Sequence, residues 1–434
     1  VGNRTGRDGI AGATFASSAL SGDIKSLRPA VQIPDPLVEE GLVRLISAVR
    51  DARAATGVTD LGGGGLAVAA AEMAHEAHAG CELILDEVPL REDLEPWEIL
   101  VSESQERMLL SARPEEAGSL MTLARHEGLE AAIIGNLTDS RRFRALYRGA
   151  PVVDVDMDFL FHPPRLTRTA VPHVTESEDE PLLDDLRDPG AELLRLLSSP
   201  NISSRERVLG TYDLGVRGNT VVYPVEDPAG GHNDAAVIKP LDDSWEGIVI
   251  SVGLRPRYSR LSPYWMAASS IDEAMRNNSA VGGRRISLLD NFAWGSPERP
   301  EEMWSLLEAL RACRDFASGF GAPFVSGKDS LYNESEYGPV LPTLLITAVG
   351  VIPDVRRALT SGLKSPGDSV YAIGVTRAEM GGSEYFEMKG IRGGSVPKVR
   401  IDESRSAMEC VIRAIDQGLL TASHDVSDGG IAVA

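Results

Sequence analysis

The strongest constraint on the fold of this 434-residue chain is an internal repeat. Residues 60–69 read DLGGGGLAVA and residues 425–434 read DVSDGGIAVA, so the copies begin 365 residues apart. Each copy follows a predicted amphipathic helix; the first helix starts at Asp35-Pro36, a favourable N-cap and N1 pair, and the second at Asp402. A repeat this long indicates a duplicated unit larger than one domain rather than a solenoid.

The order of predicted strands and helices indicates an α+β fold without strict βαβ alternation. The apolar segments include a long helix at 301–318 and a strand at 344–352. Four segments are predicted: 1–165, an acidic linker at 166–203, 204–362, and 363–434, which opens with a strand at 368–374.

Composition limits the classes of function. The net charge of −21 argues against nucleic acid as a main partner, because phosphate binding needs a basic surface. A small anionic ligand needs only a local pocket. No apolar run reaches the roughly 18 residues of a membrane span, and three scattered cysteines favour a cytoplasmic protein. Since the chain begins at Val1 and ends inside an apolar run, we expect a segment of a longer protein.

Two glycine-rich stretches are candidate anion sites. Residues 62–65 follow Asp60 and precede an alanine-rich helix. Glycine amides at a helix start can bind phosphate, and a carboxylate beside them suits Mg²⁺. Close packing of the helix on a strand is the alternative. Residues 5–13, TGRDGIAGA, are compatible with an anion loop or with a tight structural turn.

Two polar stretches interrupt apolar segments. Residues 103–107, ESQER, are either buried with hydrogen-bond partners or exposed at a strand end. Residues 326–330, SGKDS, are predicted as a loop after a strand, able to hold phosphate or metal. They are not a P-loop, because Ala322 occupies the first glycine position and Asp329 replaces the final Ser or Thr.

One predicted helix carries a glutamate and two histidines that are a candidate metal site. Glu72, His75 and His78 share a predicted helix face, but no further ligand stands at a standard zinc spacing. We therefore expect a surface face of the helix.

Together these strings resemble the phosphoribosylformylglycinamidine synthase family, large (synthetase) subunit. The matching text is TGRDGIAGATFAS, VQIPDPLVEE, DLGGGGLAVAAAEM, PLREDLEPWEILVSESQERML, YDLGVRGNTVV, NDAAV, DNFAWGSPERPEEMW, PFVSGKDSLYNE and HDVSDGGIAVA. The resemblance implies two tandem units like aminoimidazole ribonucleotide (AIR) synthetase, each with an N-terminal domain that pairs into a β-barrel and a C-terminal α/β domain. Segment 1–165 then resembles the first C-terminal domain, 204–362 the second N-terminal domain, and 363–434 the start of the second C-terminal domain.

The resemblance implies an ATP- and Mg²⁺-dependent ligase of purine biosynthesis. Formylglycinamide ribonucleotide would be amidated with ammonia from a glutaminase subunit or domain, with a small accessory subunit as a further candidate partner. Matching motifs give the expected substrate-binding, nucleotide-binding and metal-binding residues, which are Gln32, Glu103, Ser104, Gln105 and Ser330; Asp290 and Gly327; and Asp60.

The chain departs from the family at two places. A metal-binding Asn of some members is replaced by Lys328, which cannot ligate Mg²⁺ while protonated, so Asp329 is a candidate substitute. The family's catalytic His lies in an ESHNHP-type string of the first unit's N-terminal domain, a domain that the resemblance implies is missing from this sequence together with the C-terminal end. The corresponding residues 251–258 of the second unit contain no His. We therefore expect no catalytic residue in this chain and no synthetase activity from it alone.

Two other readings stay open at this point. Selenophosphate synthetase, thiamine-phosphate kinase and hydrogenase-maturation proteins share the expected fold, but each has one unit, against the 365-residue duplication. A catalytically inactive nucleotide-binding or scaffold homologue is compatible with the acidic charge and the missing His. An ESHNHP-type string upstream would favour the enzyme.

Overall fold

The computed structural model describes residues 1–12, 31–173, 181, 183, 186–211, 214–225 and 231–434. They form two compact units, Val1–Thr167 (unit 1) and Arg168–Ala434 (unit 2). Both units combine helices with β-sheets, which confirms the predicted mixture of the two. The acidic run at 176–180 lies outside the described residues.

Unit 1 contains a four-stranded sheet and a separate two-stranded ribbon. Its helices are α1 (Pro36–Ala52), α2 (Gly65–Glu76), α3 (Pro96–Val101), α4 (Ala117–His126) and α5 (Met157–Phe161). Its strands are β1 (Gly57–Asp60), β2 (Gly80–Ile84), β3 (Met108–Ser111), β4 (Gly135–Thr138), β5 (Arg142–Tyr147) and β6 (Ala150–Asp156). The sheet order is β4-β2-β5-β6, and β1 pairs with β3 in antiparallel fashion.

The first predicted helix begins where the sequence places it. The Asp35 carboxylate accepts a hydrogen bond from the Val38 N–H at 3.2 Å, and Pro36 occupies the first turn. The buried face of α1 shares a core cluster with α4 and consists of Leu42, Leu45 and Val49. A second cluster joins α2 and α3 to the four-stranded sheet, through residues such as Leu66, Ile99 and Phe143.

Unit 2 is built on one six-stranded sheet. Its helices are α6 (Pro189–Leu197), α7 (Glu206–Leu209), α8 (Pro263–Ala280), α9 (Pro300–Phe320), α10 (Glu384–Lys389) and α11 (Ile401–Asp416). Its strands are β7 (Thr220–Val222), β8 (Ala235–Ile238), β9 (Gly247–Leu254), β10 (Arg284–Ala293), β11 (Phe324–Ser330), β12 (Glu334–Ser335), β13 (Gly338–Pro339) and β14 (Thr343–Ile352). The sheet order is β11-β10-β14-β9-β8-β7, with β10 and β11 parallel.

The two faces of this sheet differ. One face carries the main core with α8 and α9, including the fully buried Met266, Ile271, Leu288 and Ile346. The opposite face is also apolar but partly open to solvent. Its exposed side chains include Val221, Val252, Leu254 and Val325.

Two predictions about unit 2 are wrong. Residues 326–330 are not a loop but the second half of β11, because β10 offers a parallel strand that pairs with them. Residues 368–374 do not form a strand. In the described part of the chain no neighbouring strand pairs with this stretch, and Val370 and Tyr371 are each 78% exposed.

Among the described residues, no helix is both long enough and apolar enough to cross a bilayer.

Candidate functional site

A polar turn at residues 102–107 joins α3 to β3 and is buried in unit 1. Glu103 and Ser104 expose 3% and 2% of their surface, so the solvent-facing alternative is wrong. Gly65 permits this burial, because a Cβ there would lie 2.2 Å from a carbonyl oxygen of the turn. The Gly64 N–H donates to Glu103 Oε1 at 3.0 Å. At Gly64 and Gly65 the glycine-rich stretch therefore packs against the polar turn. The Gly64 amide binds the carboxylate of Glu103, a group of the protein itself.

The structure brings three of the predicted substrate residues together at this turn. Gln32 Nε2 donates to Glu103 Oε2 at 3.4 Å, although Gln32 stands far away in sequence. Gln105 Nε2 donates to the Glu103 carbonyl oxygen at 2.9 Å. Two amide side chains and one carboxylate therefore form a cluster able to hydrogen-bond a polar ligand.

Asp60 lies next to this cluster, at the end of β1. It pairs with Met108 of β3, and the following Leu61 N–H donates to the Arg107 carbonyl oxygen at 3.2 Å. The Asp60 side chain is exposed, with no hydrogen-bond or ion-pair partner among the described residues. A free carboxylate at a glycine-rich helix start fits Mg²⁺, which binds few protein carboxylates and keeps water or phosphate oxygens as other ligands.

In unit 2 the two predicted nucleotide-contacting positions are direct neighbours. Asp290 of β10 and Gly327 of β11 face each other in the parallel ladder. A Cβ at position 327 would lie 2.1 Å from Asp290 Oδ1, so glycine leaves the room that this carboxylate occupies. Burial raises the pKa of Asp290, and the charge of Asp329 raises it further. Asp290 and Asp329 therefore share one electrostatic environment.

The other predicted residues of β11 lie at its exposed end. Lys328 and Asp329 are exposed, and in the described chain neither belongs to a group of three metal-ligating side chains. Ser330 ends the strand, where Asn333 Nδ2 donates to its carbonyl oxygen at 2.7 Å. Ligation of a metal by Asp329 stays a prediction.

One cluster was missed by the sequence reasoning. Asp234, His424 and Asp425 bring their ligand atoms within 4.8 Å of one another, the sole such group of three or more among the described residues. His424 Nδ1 lies 2.6 Å from Asp234 Oδ1, and the Asp425 N–H donates to Asp234 Oδ2 at 3.0 Å. The hydrogen bond to the Asp234 carboxylate raises the pKa of His424, and burial raises the pKa of Asp425.

Two features of the sequence could have indicated this cluster. Asp425 is the counterpart of Asp60 in the repeat, and Asp234 stands in the string NDAAV. Their separation of about 190 residues conceals the contact from any argument based on spacing.

The same region of unit 2 has a cleft of about 290 Å³ that is lined by charged residues of both signs. Arg276 lines it, donating from Nη1 to Asp425 Oδ2 at 3.0 Å and from Nε to Asp272 Oδ2 at 2.7 Å. Arg255 and Arg400 also line the cleft, and they form ion pairs with Glu273 and Glu379. The arginines of the cleft are therefore already bound to carboxylates of the protein.

Glu72, His75 and His78 do not form a metal site. The His75 ring stacks on Phe161 with centroids 3.9 Å apart, and His78 lies beyond the end of α2. Within the described residues, the ligand atoms of these three side chains do not come together as a metal-binding group.

Comparison with known protein families identifies two domains in this chain. Residues 1–148 match the C-terminal domain of AIR synthase related protein, and residues 232–352 match the N-terminal domain of AIR synthase related protein. The chain therefore carries both domains of this family, in the order C-terminal then N-terminal.

The relatives narrow this class further. The chain is 39% identical over 445 residues to the phosphoribosylformylglycinamidine synthase subunit PurL of Anaeromyxobacter sp. strain Fw109-5, covering all of this chain and 57% of the relative. The chain thus spans less than two thirds of the length of the curated relatives it matches. It is a homologue of PurL.

Solved structures agree with this assignment. Thermotoga maritima PurL complexed with FGAR (formylglycinamide ribonucleotide) matches with a TM-score of 0.69 and 25% identity, over 96% of this chain and 60% of that one. PurLQS from T. maritima matches with a TM-score of 0.63 and 26% identity, over 83% and 54%. T. maritima PurL complexed with ATP matches at 23% identity with a TM-score of 0.65 over 96% and 59%, and supports the fold alone.

Proposed function

We propose that this chain is part of a phosphoribosylformylglycinamidine synthase. In that reaction ATP transfers its γ-phosphoryl group to the formylglycinamide amide oxygen of FGAR, releasing ADP. Ammonia then attacks the amide carbon, and phosphate leaves to give formylglycinamidine ribonucleotide. Chemistry of this kind depends on positioned polar groups and on stabilisation of phosphoryl charge.

The buried turn of unit 1 is the observation that supports this proposal most. Glu103 is held by the Gly64 N–H and by Gln32, with Gln105 bonded to its carbonyl oxygen. In the proposal, Gln32, Glu103 and Gln105 bind FGAR, which is the ligand of the T. maritima homologue. Ser104 belongs to the same segment. Ser330 is proposed separately as a substrate contact within unit 2.

Asp290 and Gly327 are the proposed nucleotide-contacting residues of unit 2. The close approach of the Asp290 carboxylate to Gly327 places the two residues side by side, which supports a shared role. Asp60 would hold Mg²⁺ in unit 1, and Asp329 is a separate candidate metal ligand in unit 2. Bound Mg²⁺ would neutralise charge on the transferring phosphoryl group.

The Asp234–His424–Asp425 cluster is a second place that fits a divalent cation. Its carboxylate side chains are 4% and 5% exposed, and both approach His424 or Arg276. Such buried oxygen donors beside a cleft lined by arginines would suit a nucleotide bound with its cation.

The proposed domain scheme follows the family order. Residues 1–165 are the first C-terminal domain, 166–203 a linker, 204–362 the second N-terminal domain, and 363–434 the start of the second C-terminal domain. The exposed apolar face of the six-stranded sheet, including Val252 and Leu254, supports pairing with another N-terminal domain into a barrel. A glutaminase would supply ammonia, in line with the PurLQS assembly of the homologue, and we place the enzyme in the cytoplasm.

Turnover tests the proposal. The protein expressed from its complete reading frame should release ADP in the presence of ATP, FGAR and ammonium chloride, and should form formylglycinamidine ribonucleotide. The variant Glu103→Gln should raise the KM for FGAR about tenfold or more, because an amide cannot accept both bonds that the carboxylate accepts. Glu130→Gln, in an exposed pair with Arg4, is the matched control and should behave as wild type.

Two outcomes would contradict the proposal. One is the absence of FGAR-dependent ADP release by the complete protein. The other is a Glu103→Gln variant with the kinetics of Glu130→Gln. Nucleotide binding without turnover would favour the alternative of a catalytically inactive nucleotide-binding homologue.

A further inference from the structure

The glycine-rich segment at residues 5–9, TGRDG, has no role in the proposed function so far. It is not an open anion-binding loop, because its polar side chains form hydrogen bonds and ion pairs with other residues of unit 1. Arg107 Nη1 donates to Thr5 Oγ1 at 3.0 Å. Arg7 forms a bidentate pair with Glu98, with N···O distances of 2.7 and 3.0 Å. These contacts fix the segment against α3 and the polar turn.

Asp8 is the residue of this segment that reaches the substrate-binding turn. It is 7% exposed, and Arg91 and Ser104 both donate to its Oδ1, the latter at 2.6 Å. The Ser104 hydroxyl also accepts a hydrogen bond from the Gly6 N–H at 3.0 Å. Because Ser104 is 2% exposed and its hydroxyl both donates and accepts inside the protein, the hydroxyl is committed to the fold.

The segment also touches the backbone of the neighbouring Glu103. Gly9 has a φ of 73°, and a Cβ there would lie 2.8 Å from the Glu103 carbonyl carbon and oxygen. A glycine is therefore needed for this close approach. The position of the Glu103 backbone thus depends on how residues 5–9 are held.

We propose that Asp8 is a positioning residue for the FGAR site. By holding Ser104, Asp8 fixes the turn that carries the Glu103 carboxylate and the Gln105 amide. The Ser104 side chain then acts on the site through the fold and does not touch the substrate. This inference rests on the proposed function, since it assigns a role to the same turn.

Kinetics of the protein from its complete reading frame test this role. Asp8→Ala should raise the KM for FGAR about tenfold, the typical effect of losing a hydrogen bond to a charged group, while the KM for ATP stays within about twofold. Ser104→Ala should have an effect of similar size. The double variant should be no worse than either single one, because the two residues act in series.

Two further variants separate positioning from general loss of structure. Asp8→Asn retains an acceptor for Ser104 and should recover most of the loss, whereas a purely structural defect would lower the active fraction without changing KM. Asp93→Ala, at an exposed residue close to Arg7 in the same region, should match wild type. If Asp8→Ala does not accumulate as folded protein, Asp8→Asn and Ser104→Ala carry the test.

Different results would overturn the inference about Asp8 and the proposed function. Multiplying effects of Asp8→Ala and Ser104→Ala, or a Ser104→Ala defect without an Asp8→Ala defect, would overturn the inference in favour of direct contact by Ser104. Wild-type turnover with an unchanged KM for FGAR in Asp8→Ala would overturn this inference alone. A wild-type protein without FGAR-dependent turnover would overturn the proposed function and this inference with it.

Discussion

The Arg107 side chain offers the most quantitative test of how the polar turn at residues 102–107 is built. Arg107 is 6% exposed and donates three hydrogen bonds, to the Ser104 carbonyl at 2.7 Å, the Ser102 carbonyl at 2.5 Å and Thr5 Oγ1 at 3.0 Å. The variant Arg107→Met keeps much of the side-chain volume but leaves all three acceptors buried without a donor.

The expected cost follows from these contacts. Each unsatisfied buried acceptor costs about 1–3 kcal/mol, so three would cost about 3–9 kcal/mol. Burial lowers the pKa of Arg107 to about 10, so the folded state already carries a cost for keeping this cation out of water. Removal of the charge offsets part of the loss. We therefore expect unit 1 to lose about 3 kcal/mol of stability.

Native-state hydrogen exchange, read by mass spectrometry on peptides covering 99–111, measures this opening free energy locally. The matched control is Arg142→Met, because Arg142 is 41% exposed and pairs with Asp154, and should change stability by less than about 1 kcal/mol. An Arg107→Met protein within about 1 kcal/mol of wild type would refute the buried hydrogen-bond account of the turn.

Three further predictions concern the proposed ligand sites. Asp60→Asn should weaken the apparent affinities for Mg²⁺ and ATP about tenfold, as magnesium-dependent kinetics would measure; unchanged magnesium dependence would remove Asp60 from the metal site. Gly327→Ala should raise the KM for ATP and destabilise unit 2 by about 1–3 kcal/mol, because the new Cβ would meet Asp290 at 2.1 Å, whereas a wild-type KM would exclude this position from nucleotide binding. The bond to Asp234 raises the pKa of His424 above 6.5, so its stabilising contribution is complete below pH 6.5 and is lost as pH rises through the folded pKa. NMR titration should show a lower His424 pKa in Asp234→Asn, and an unchanged value would contradict the pairing.

Local signals were sufficient for some of the regular elements. Asp35-Pro36 predicts the start of α1 because capping depends on neighbouring residues alone. The predicted strand at 344–352 differs from β14 by one residue, since its alternating apolar pattern matches one buried face. Polar residues 326–330 were misassigned because their strand pairing comes from β10, a contact that local composition does not encode.

The polar turn at residues 102–107 could be predicted only in part. The sequence places polar residues between apolar runs, which poses the question of burial without answering it. Burial of the turn depends on hydrogen bonds from Ser104 to Asp8 and from Arg107 to Thr5. These bonds join residues about 100 positions apart. Local patterns carry no information on such pairs, and the Asp234–Asp425 contact was missed for the same physical reason.

The central claim is that the buried turn of unit 1 forms the FGAR site. A crystal structure of the protein from its complete reading frame, grown with FGAR, tests it most directly. We expect FGAR within hydrogen-bond distance of the side chains of Glu103 and Gln105, with the Ser104 hydroxyl still bonded to Asp8. FGAR bound in the cleft of unit 2, with the unit 1 turn empty, would contradict the claim.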